Sequence, residues 1–368
     1  MNIGIDISQI VYQTGVSRYT EQLVKHLIKL NTQDKFYLFS GSLRQKQILS
    51  SFIKQLNSKR VGGVVTSLSP HLIDFFWNRL NIFSPDKHFP NLDVFHTSDW
   101  AIPSTQAKLV TTIHDLTFFR FPHSHTSYSR AVHKRHLKQV KKHADAIIAV
   151  SQATKKDLIK YGIDKSRIEV IYEAASSIFK PQTNLKKIRA VKEKYNLKNK
   201  YILSVGTQEP RKNLKRLIKA YQGVVSDKSN LNLIIVGKFG WGDEIEPSKN
   251  IKLLGFIPDE DLAVLYSAAK FFIYPSLYEG FGLPVLEAMA CGCPVITSNT
   301  SSLPEVGGSA ALYVNPKKTY DIFKTIQMLI KASPSKLKTL SQKSLDQAKQ
   351  FSWHKTAKQT LEIYKNLC

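Results

Sequence analysis

Pro275-Ser276-Leu277-Tyr278-Glu279-Gly280-Phe281-Gly282-Leu283-Pro284-Val285-Leu286-Glu287-Ala288-Met289-Ala290-Cys291-Gly292 is the stretch on which the reading of this chain turns. Glu279 stands in a glycine-bearing loop, and Glu287 lies eight positions on, inside an expected helix over 284–291. Pro284 suits the first turn of that helix because a first-turn N–H has no intrahelical partner to lose, and Gly292 suits the residue just past its end. Phe281, Gly282 and Leu283 bring backbone N–H groups to a helix N-terminus, where the helix dipole favours an anion, a phosphate above all. A carboxylate beside a phosphate cradle is not there to bind the phosphate, because like charges repel. Glu279 is better explained as an acceptor for the hydroxyls of a ribose or a sugar ring. The stretch therefore reads as a pocket for a nucleotide sugar.

Outward from it, short apolar runs alternate with helical patterns, which predicts α/β architecture with parallel sheets. Strands are expected over 2–7, 36–40, 94–96, 109–113, 146–150 and 168–171, and helices over 16–30, 131–145 and 153–161. The pattern restarts with strands over 201–205, 231–236, 251–253, 271–274 and 295–297, and helices over 214–225, 262–269 and 284–291. A polar stretch over 176–200 separates the halves, and the interdomain linker is expected at 174–182. The domains are expected over 1–175 and 183–350, with a last helix over 353–368. Two doubly wound Rossmann-like halves facing a central cleft would hold a ligand at the carboxyl ends of their strands.

Three further segments carry chemistry. Gly206-Thr207-Gln208-Glu209-Pro210-Arg211-Lys212-Asn213 joins a strand to a helix, and its two adjacent cations suit a diphosphate, Arg211 as a bidentate fork and Lys212 as a point charge. Gly15, in the turn between the first strand and the first helix, lets a phosphate approach a helix N-terminus, or simply makes the turn. His114 ends a strand of the first half, where Asp115 either orients its imidazole or caps the next turn. Ser151 is explained as a helix N-cap. Asp259-Glu260-Asp261 has the form of a metal-binding D-x-D, but acids opening a helix explain it, and no cluster has the spacing of a metal site.

Glu279 and Glu287 with the intervening Gly-Phe-Gly-Leu-Pro resemble the E-x7-E signature of retaining glycosyltransferases of the GT4 type, which adopt the two-domain GT-B fold. The Gly206–Asn213 segment, the Gly15 loop, His114-Asp115-Leu116, Ser151 and the Trp353 tail resemble the same family in the same order. The resemblance implies that Arg211 and Lys212 stabilise the departing nucleoside diphosphate, that Glu279 holds donor-sugar hydroxyls and Glu287 the ribose, and that His114 contacts the transferred sugar. It implies that Gly15, Phe281, Gly282 and Leu283 bind the donor, and that the last helix crosses back onto the first domain. Within the family the motifs look mannosyltransferase-like, which implies transfer of mannose from GDP-mannose, without a metal, to a glycan or lipid-linked acceptor in surface polysaccharide synthesis. A UDP-sugar-dependent transferase of the same fold and a non-catalytic polyanion- or membrane-binding protein on that scaffold are the alternatives. Tyr172-Glu173-Ala174-Ala175 departs from the family, whose members usually carry an Asn-Gly turn there.

At 368 residues and 42% hydrophobic content the chain can fill two ordinary cores. It has no apolar run of about 18 residues, as a membrane-spanning helix needs. Met1 to Ile7 reads as a first strand and not as a signal peptide, and Cys291, Cys293 and Cys368 suggest no disulfide framework, so a cytoplasmic location is expected. The net charge of +25 is spread over both halves. From Leu116 to Ala144, however, there is no acid, while Arg120, Arg130, Lys134, Arg135, Lys138, Lys141 and Lys142 are all present. An anionic membrane surface meeting 120–142 is one reading and a solvated face the other. Nucleic acid is not expected, because no aromatics are interleaved for base stacking.

Overall fold

The computed structural model describes every residue except 13, 90, 227–229 and 243. The chain forms two compact units, Met1–Glu173 with Trp353–Cys368, and Ala174–Ser352. The first contains β1 (Asn2–Asp6), β2 (Lys35–Gly41), β3 (Val61–Thr66), β4 (Val94–Ser98), β5 (Lys108–Ile113), β6 (Ala146–Ala149) and β7 (Ile168–Val170). They form one sheet in the order β3-β2-β1-β4-β5-β6-β7. The second contains β8 (Lys200–Val205), β9 (Leu231–Val236), β10 (Ile251–Leu253), β11 (Phe271–Tyr274), β12 (Val295–Ser298) and β13 (Leu312–Val314), in the order β10-β9-β8-β11-β12-β13. All pairings within both sheets are parallel. Each order reverses once, between β1 and β4 and between β8 and β11, and such switch points are where doubly wound sheets bind ligands.

The central strands are fully buried: Val94–Ser98, Leu231–Val236, Phe271–Tyr274 and Val295–Ser298 expose nothing appreciable. That is why they read as unbroken apolar runs. The edge strands β3 and β13 lie outside the sequence expectations. Val61–Thr66 carries two glycines and Leu312–Val314 is short and only half buried, so neither gives a strong signal. The helix Leu185–Lys194 falls in the stretch expected to be a polar break. It buries only Val191, and six of its ten residues are charged, which masks the spacing of its few apolar ones.

The stretch 174–182 packs as part of the second unit. Phe179 lies edge-on to Tyr266 at 6.0 Å between ring centroids, and the Gln182 amide donates to Ser267 Oγ at 3.1 Å. The final helix, Trp353–Leu367, belongs to the first unit and buries Trp353, Ala357, Thr360, Leu361 and Tyr364, a stripe of helical period. Trp353 meets Tyr19 edge-on at 5.8 Å. Thr356 Oγ1 donates to the Tyr172 carbonyl at 2.7 Å, and the Tyr364 hydroxyl lies 2.5 Å from His96 Nδ1.

Candidate active site

In the second unit the sequence motifs converge at the switch point. The Gly206–Asn213 segment leaves β8, and Pro275–Glu279 leaves its neighbour β11. Asn213 joins the two loops. It adopts a left-handed conformation, φ 62°, which asparagine tolerates better than most residues. From there its Nδ2 donates to the carbonyls of Pro275 at 3.0 Å and Pro316 at 2.7 Å. Ser276 Oγ and the Leu277 amide both donate to the Arg211 carbonyl, at 3.1 and 2.8 Å. Arg211 and Lys212 are thus held by backbone on both sides.

Their side chains meet Glu279. Arg211 Nη1 lies 2.8 Å from Glu279 Oε2 and donates to the Tyr278 carbonyl at 2.7 Å, and Arg211 Nη2 pairs with Glu209. Lys212 Nζ donates to Glu279 Oε1 at 2.8 Å and to the Tyr274 hydroxyl at 2.6 Å. The Tyr274 hydroxyl itself donates to Glu279 Oε1 at 2.9 Å. Two cations and two carboxylates therefore balance. Burial alone would raise the Glu279 pKa, but Arg211 and Lys212 outweigh it and hold the carboxyl down to about 2. For Lys212, burial and the neighbouring Arg211 outweigh Glu279 and Glu209, so its pKa is lowered despite the ion pair.

Glu279 is followed by the helix Leu283–Ala290, with Pro284 in its first turn and Gly292 just beyond its end at φ 73°. Gly282 caps it at φ 115°, a conformation that L side chains rarely adopt, and a Cβ there would come within 2.8 Å of Leu303. Ser302 Oγ donates to the carbonyls of Glu279 at 3.0 Å and Phe281 at 2.6 Å, which fixes the approach to the helix. Glu287 sits on the helix interior, 1% exposed, and accepts from the Tyr266 hydroxyl at 3.3 Å.

The first unit holds His114 at the end of β5. Its Nδ1 lies 2.7 Å from Glu173 Oε1, and its backbone N–H donates to Asp99 Oδ1 at 3.0 Å. Asp115 does not orient the ring. Its Oδ1 accepts from the Thr117 amide at 2.7 Å and caps the following turn. Burial opposes charge on the imidazole, but Asp99, Glu173 and Asp115 together push its pKa up to about 9. Tyr19 meets the ring edge-on at 4.6 Å. Ser151 caps the helix Gln152–Lys160, and Thr154 Oγ1 of that helix donates to the His114 carbonyl at 3.1 Å. Gly15 is exposed at the first residue of the helix Gly15–Leu30, behind a capping box of Thr14 and Ser17.

The basic segment divides. Arg120 pairs with Asp157, Arg135 pairs with Asp74, and His136 is buried, so these are structural. Lys134, Lys138, Lys141 and Lys142 of the helix Ser127–His143 are exposed. Next to them Leu72, Phe75, Leu80, Ile82 and Tyr128 are exposed as well, and His71 Nδ1 lies 2.6 Å from the Tyr128 hydroxyl. Trp77, from the same apolar stretch, is fully buried in the core. Asp261 pairs with Lys194 and accepts from Tyr195, so the D-x-D opens a helix as an ordinary acidic first turn.

Sequence reasoning missed Tyr274, Asn213 and Glu173. Tyr274 ends a strand that reads as pure core. Asn213 stands in a motif whose evident chemistry is its two cations, although its place just before a helix signals a special backbone position. Glu173 is far from His114 in sequence, and its one signal is that it lies in the segment that departs from the family pattern.

Two doubly wound parallel sheets, with an Arg-Lys-Glu cluster and a capped helix at one switch point, define the class of GT-B glycosyltransferases. The family described as Glycosyltransferase Family 4 matches residues 13–175, and Glycosyl transferases group 1 matches residues 186–347. The chain belongs to this GT4-type family and is a glycosyltransferase. It is 34% identical to the O-antigen chain mannosyltransferase B of Escherichia coli over 374 residues, 96% of this chain and 96% of the relative. Among solved structures it is similar to sucrose-phosphate synthase from Thermosynechococcus elongatus, with a TM-score of 0.74 and 20% identity over 100% of this chain and 99% of that one. Anabaena HepE in complex with UDP-glucose gives a TM-score of 0.72 at 18% identity, covering 100% of both chains.

Proposed function

We propose that this protein transfers mannose from GDP-mannose, with retention of configuration, to a glycan or lipid-linked acceptor in surface polysaccharide synthesis. The observation that carries the reading is the Arg211–Lys212–Glu279 cluster beside the Gly282-capped helix. In this reading a diphosphate takes the two cations, and Glu279, released from them, accepts a hydroxyl of the donor sugar. Neutralising charge where it develops on the leaving group is the main catalytic contribution. Phe281, Gly282 and Leu283 line the same helix end, Gly15 begins the helix that contacts the donor in the first unit, and His114 meets the transferred sugar. For Glu287 to hold the ribose, a ribose hydroxyl replaces or joins Tyr266 as donor to its carboxylate. No metal is assigned, so activity is expected to survive chelation by EDTA. The O-antigen mannosyltransferase relative supports the sugar and the pathway class.

The test is thermal stabilisation by GDP, UDP and ADP and their sugar conjugates, since a ligand bound only to the folded state raises Tm. Stabilisation by GDP alone, followed by an α-linked product from an α-linked donor, supports the reading. A UDP-selective shift moves it to the UDP-sugar transferase, the reading that likeness to a UDP-glucose complex favours. Salt-sensitive binding to anionic polymers, with no turnover, would favour the non-catalytic alternative.

The exposed lysines and the neighbouring apolar ridge support peripheral attachment to an anionic membrane on the cytoplasmic side. Each Lys near such a surface contributes about 1 kcal/mol. Co-sedimentation with phosphatidylglycerol vesicles is expected, with loss on Phe75→Ser plus Lys138→Glu. Equal binding to neutral vesicles would contradict it.

A further inference from the structure

Glu173 belongs to the segment that departs from the family pattern, and it lies 3% exposed against His114. His114 Nε2 is buried and has no hydrogen-bond partner among the described residues. Buried polar atoms are nearly always paired, so an orphan at this place points to a partner that arrives with ligand. The other ring nitrogen is already committed, 2.7 Å from Glu173 Oε1. A carboxylate in that position accepts from Nδ1–H, sets the tilt of the ring and favours the imidazolium, the logic by which an acid partner orients a functional histidine. We propose that Glu173 is the positioning residue for His114, holding it as a charged ring whose Nε2–H donates to an oxygen of the bound donor sugar or acceptor.

The charge environment agrees. Asp99 after β4, Glu173 after β7 and Asp115 beside His114 are the acids that act on the imidazole. His96 of β4 faces it as a neutral ring, its own pKa lowered to about 3 by burial and by His114. Tyr19 presents an edge from the first helix, and His133 approaches the carbonyl of Asp99 at 3.3 Å. The proposal rests on His114 acting in glycosyl transfer, and its test separates the two.

Glu173→Gln keeps an acceptor for Nδ1–H and removes the charge. If His114 works as an imidazolium, wild-type activity falls on the alkaline side, and in this variant that limb moves at least one unit toward neutral, with kcat retained near pH 6. One unit means roughly tenfold less imidazolium above the limb. A limb at the same pH in both proteins overturns the proposal. Glu173→Asp keeps the charge but shortens the reach, so it should hold the limb and lower kcat. If Glu173→Gln does not fold, a wild-type kcat in Glu173→Asp overturns the proposal instead. The His114 ring signal, titrated by NMR in wild type and variant, reports on the pair without any substrate. An unmoved imidazole pKa there sinks the proposal. A protein that transfers no sugar while the pKa does move would sink the function and leave the positioning role standing.

Discussion

At the switch point of the second sheet, Arg211 and Lys212 face Glu209 and Glu279, cation for carboxylate. At the ends of β4 and β5 in the first unit, the His114 imidazole faces Asp99, Glu173 and Asp115. One cluster is balanced without ligand, and its cations stay in place because Glu279 holds them. The other carries an excess of acid, and that excess is what keeps the His114 imidazole charged. The first arrangement suits an incoming anion that displaces a carboxylate. The second suits a neutral hydroxyl that needs a donor.

The comparison is broken most severely at Glu279. Glu279→Ala leaves Arg211 paired only with Glu209 and one buried positive charge unbalanced, and losing one partner of a buried pair costs about 3–5 kcal/mol. Urea unfolding should show that loss, and the folded fraction should transfer sugar roughly 100-fold or more slowly. Lys212→Ala should be comparably inactive. A variant with near-wild-type kcat/KM would mean that the cluster is structural. Next in size is His114→Ala, with a loss of about 10–100-fold in kcat, because one charged donor hydrogen bond worth about 1.5–3 kcal/mol is removed while the proposed diphosphate contacts stay.

The two clusters also titrate at opposite ends of the pH scale. Glu279, depressed from 4.5 to about 2, contributes stability that is present above pH 4.5 and lost as pH falls toward 2. His114, raised from 6.5 to about 9, contributes stability that is present below pH 6.5 and lost as pH rises through 9. Denaturation midpoints measured across pH should fall at both ends. His114→Gln should flatten only the alkaline side, and a variant that flattens the acid side instead would contradict the assignment. The smallest effect is expected from Tyr364→Phe, which removes one buried hydrogen bond to His96 and should cost about 1 kcal/mol in the thermal melt.

The same contrast explains what was legible. In the second unit the chemistry is written locally, because the cluster comes from two loops, each a continuous motif. Glu279, Arg211 and Lys212 could be picked from their neighbours in sequence. The spacing of Glu287 was legible too, but its burial against Tyr266 depends on a helix some twenty residues upstream. In the first unit Tyr19, Asp99, His114 and Glu173 come from four separate segments, and only the sheet order brings them together. Asp115 sat next to His114 and was the natural candidate for its partner, but a side chain one residue along a chain that is leaving a strand points into the turn. The core strands were visible as apolar runs. The edge strands β3 and β13, with less to bury, were not.

The last helix closes the same unit that β1 opens, and the whole of Ala174–Ser352 lies between. During synthesis the pocket waiting for Trp353 and Tyr364 stays open while the second unit is made, on the order of ten to forty seconds at ribosomal rates. Through that interval Tyr19 lacks its indole neighbour and His96 lacks its hydroxyl. The second unit, continuous in sequence, can fold as it emerges, whereas the first must wait. A stop codon before Trp353 would therefore leave a finished second unit attached to an unfinished first one.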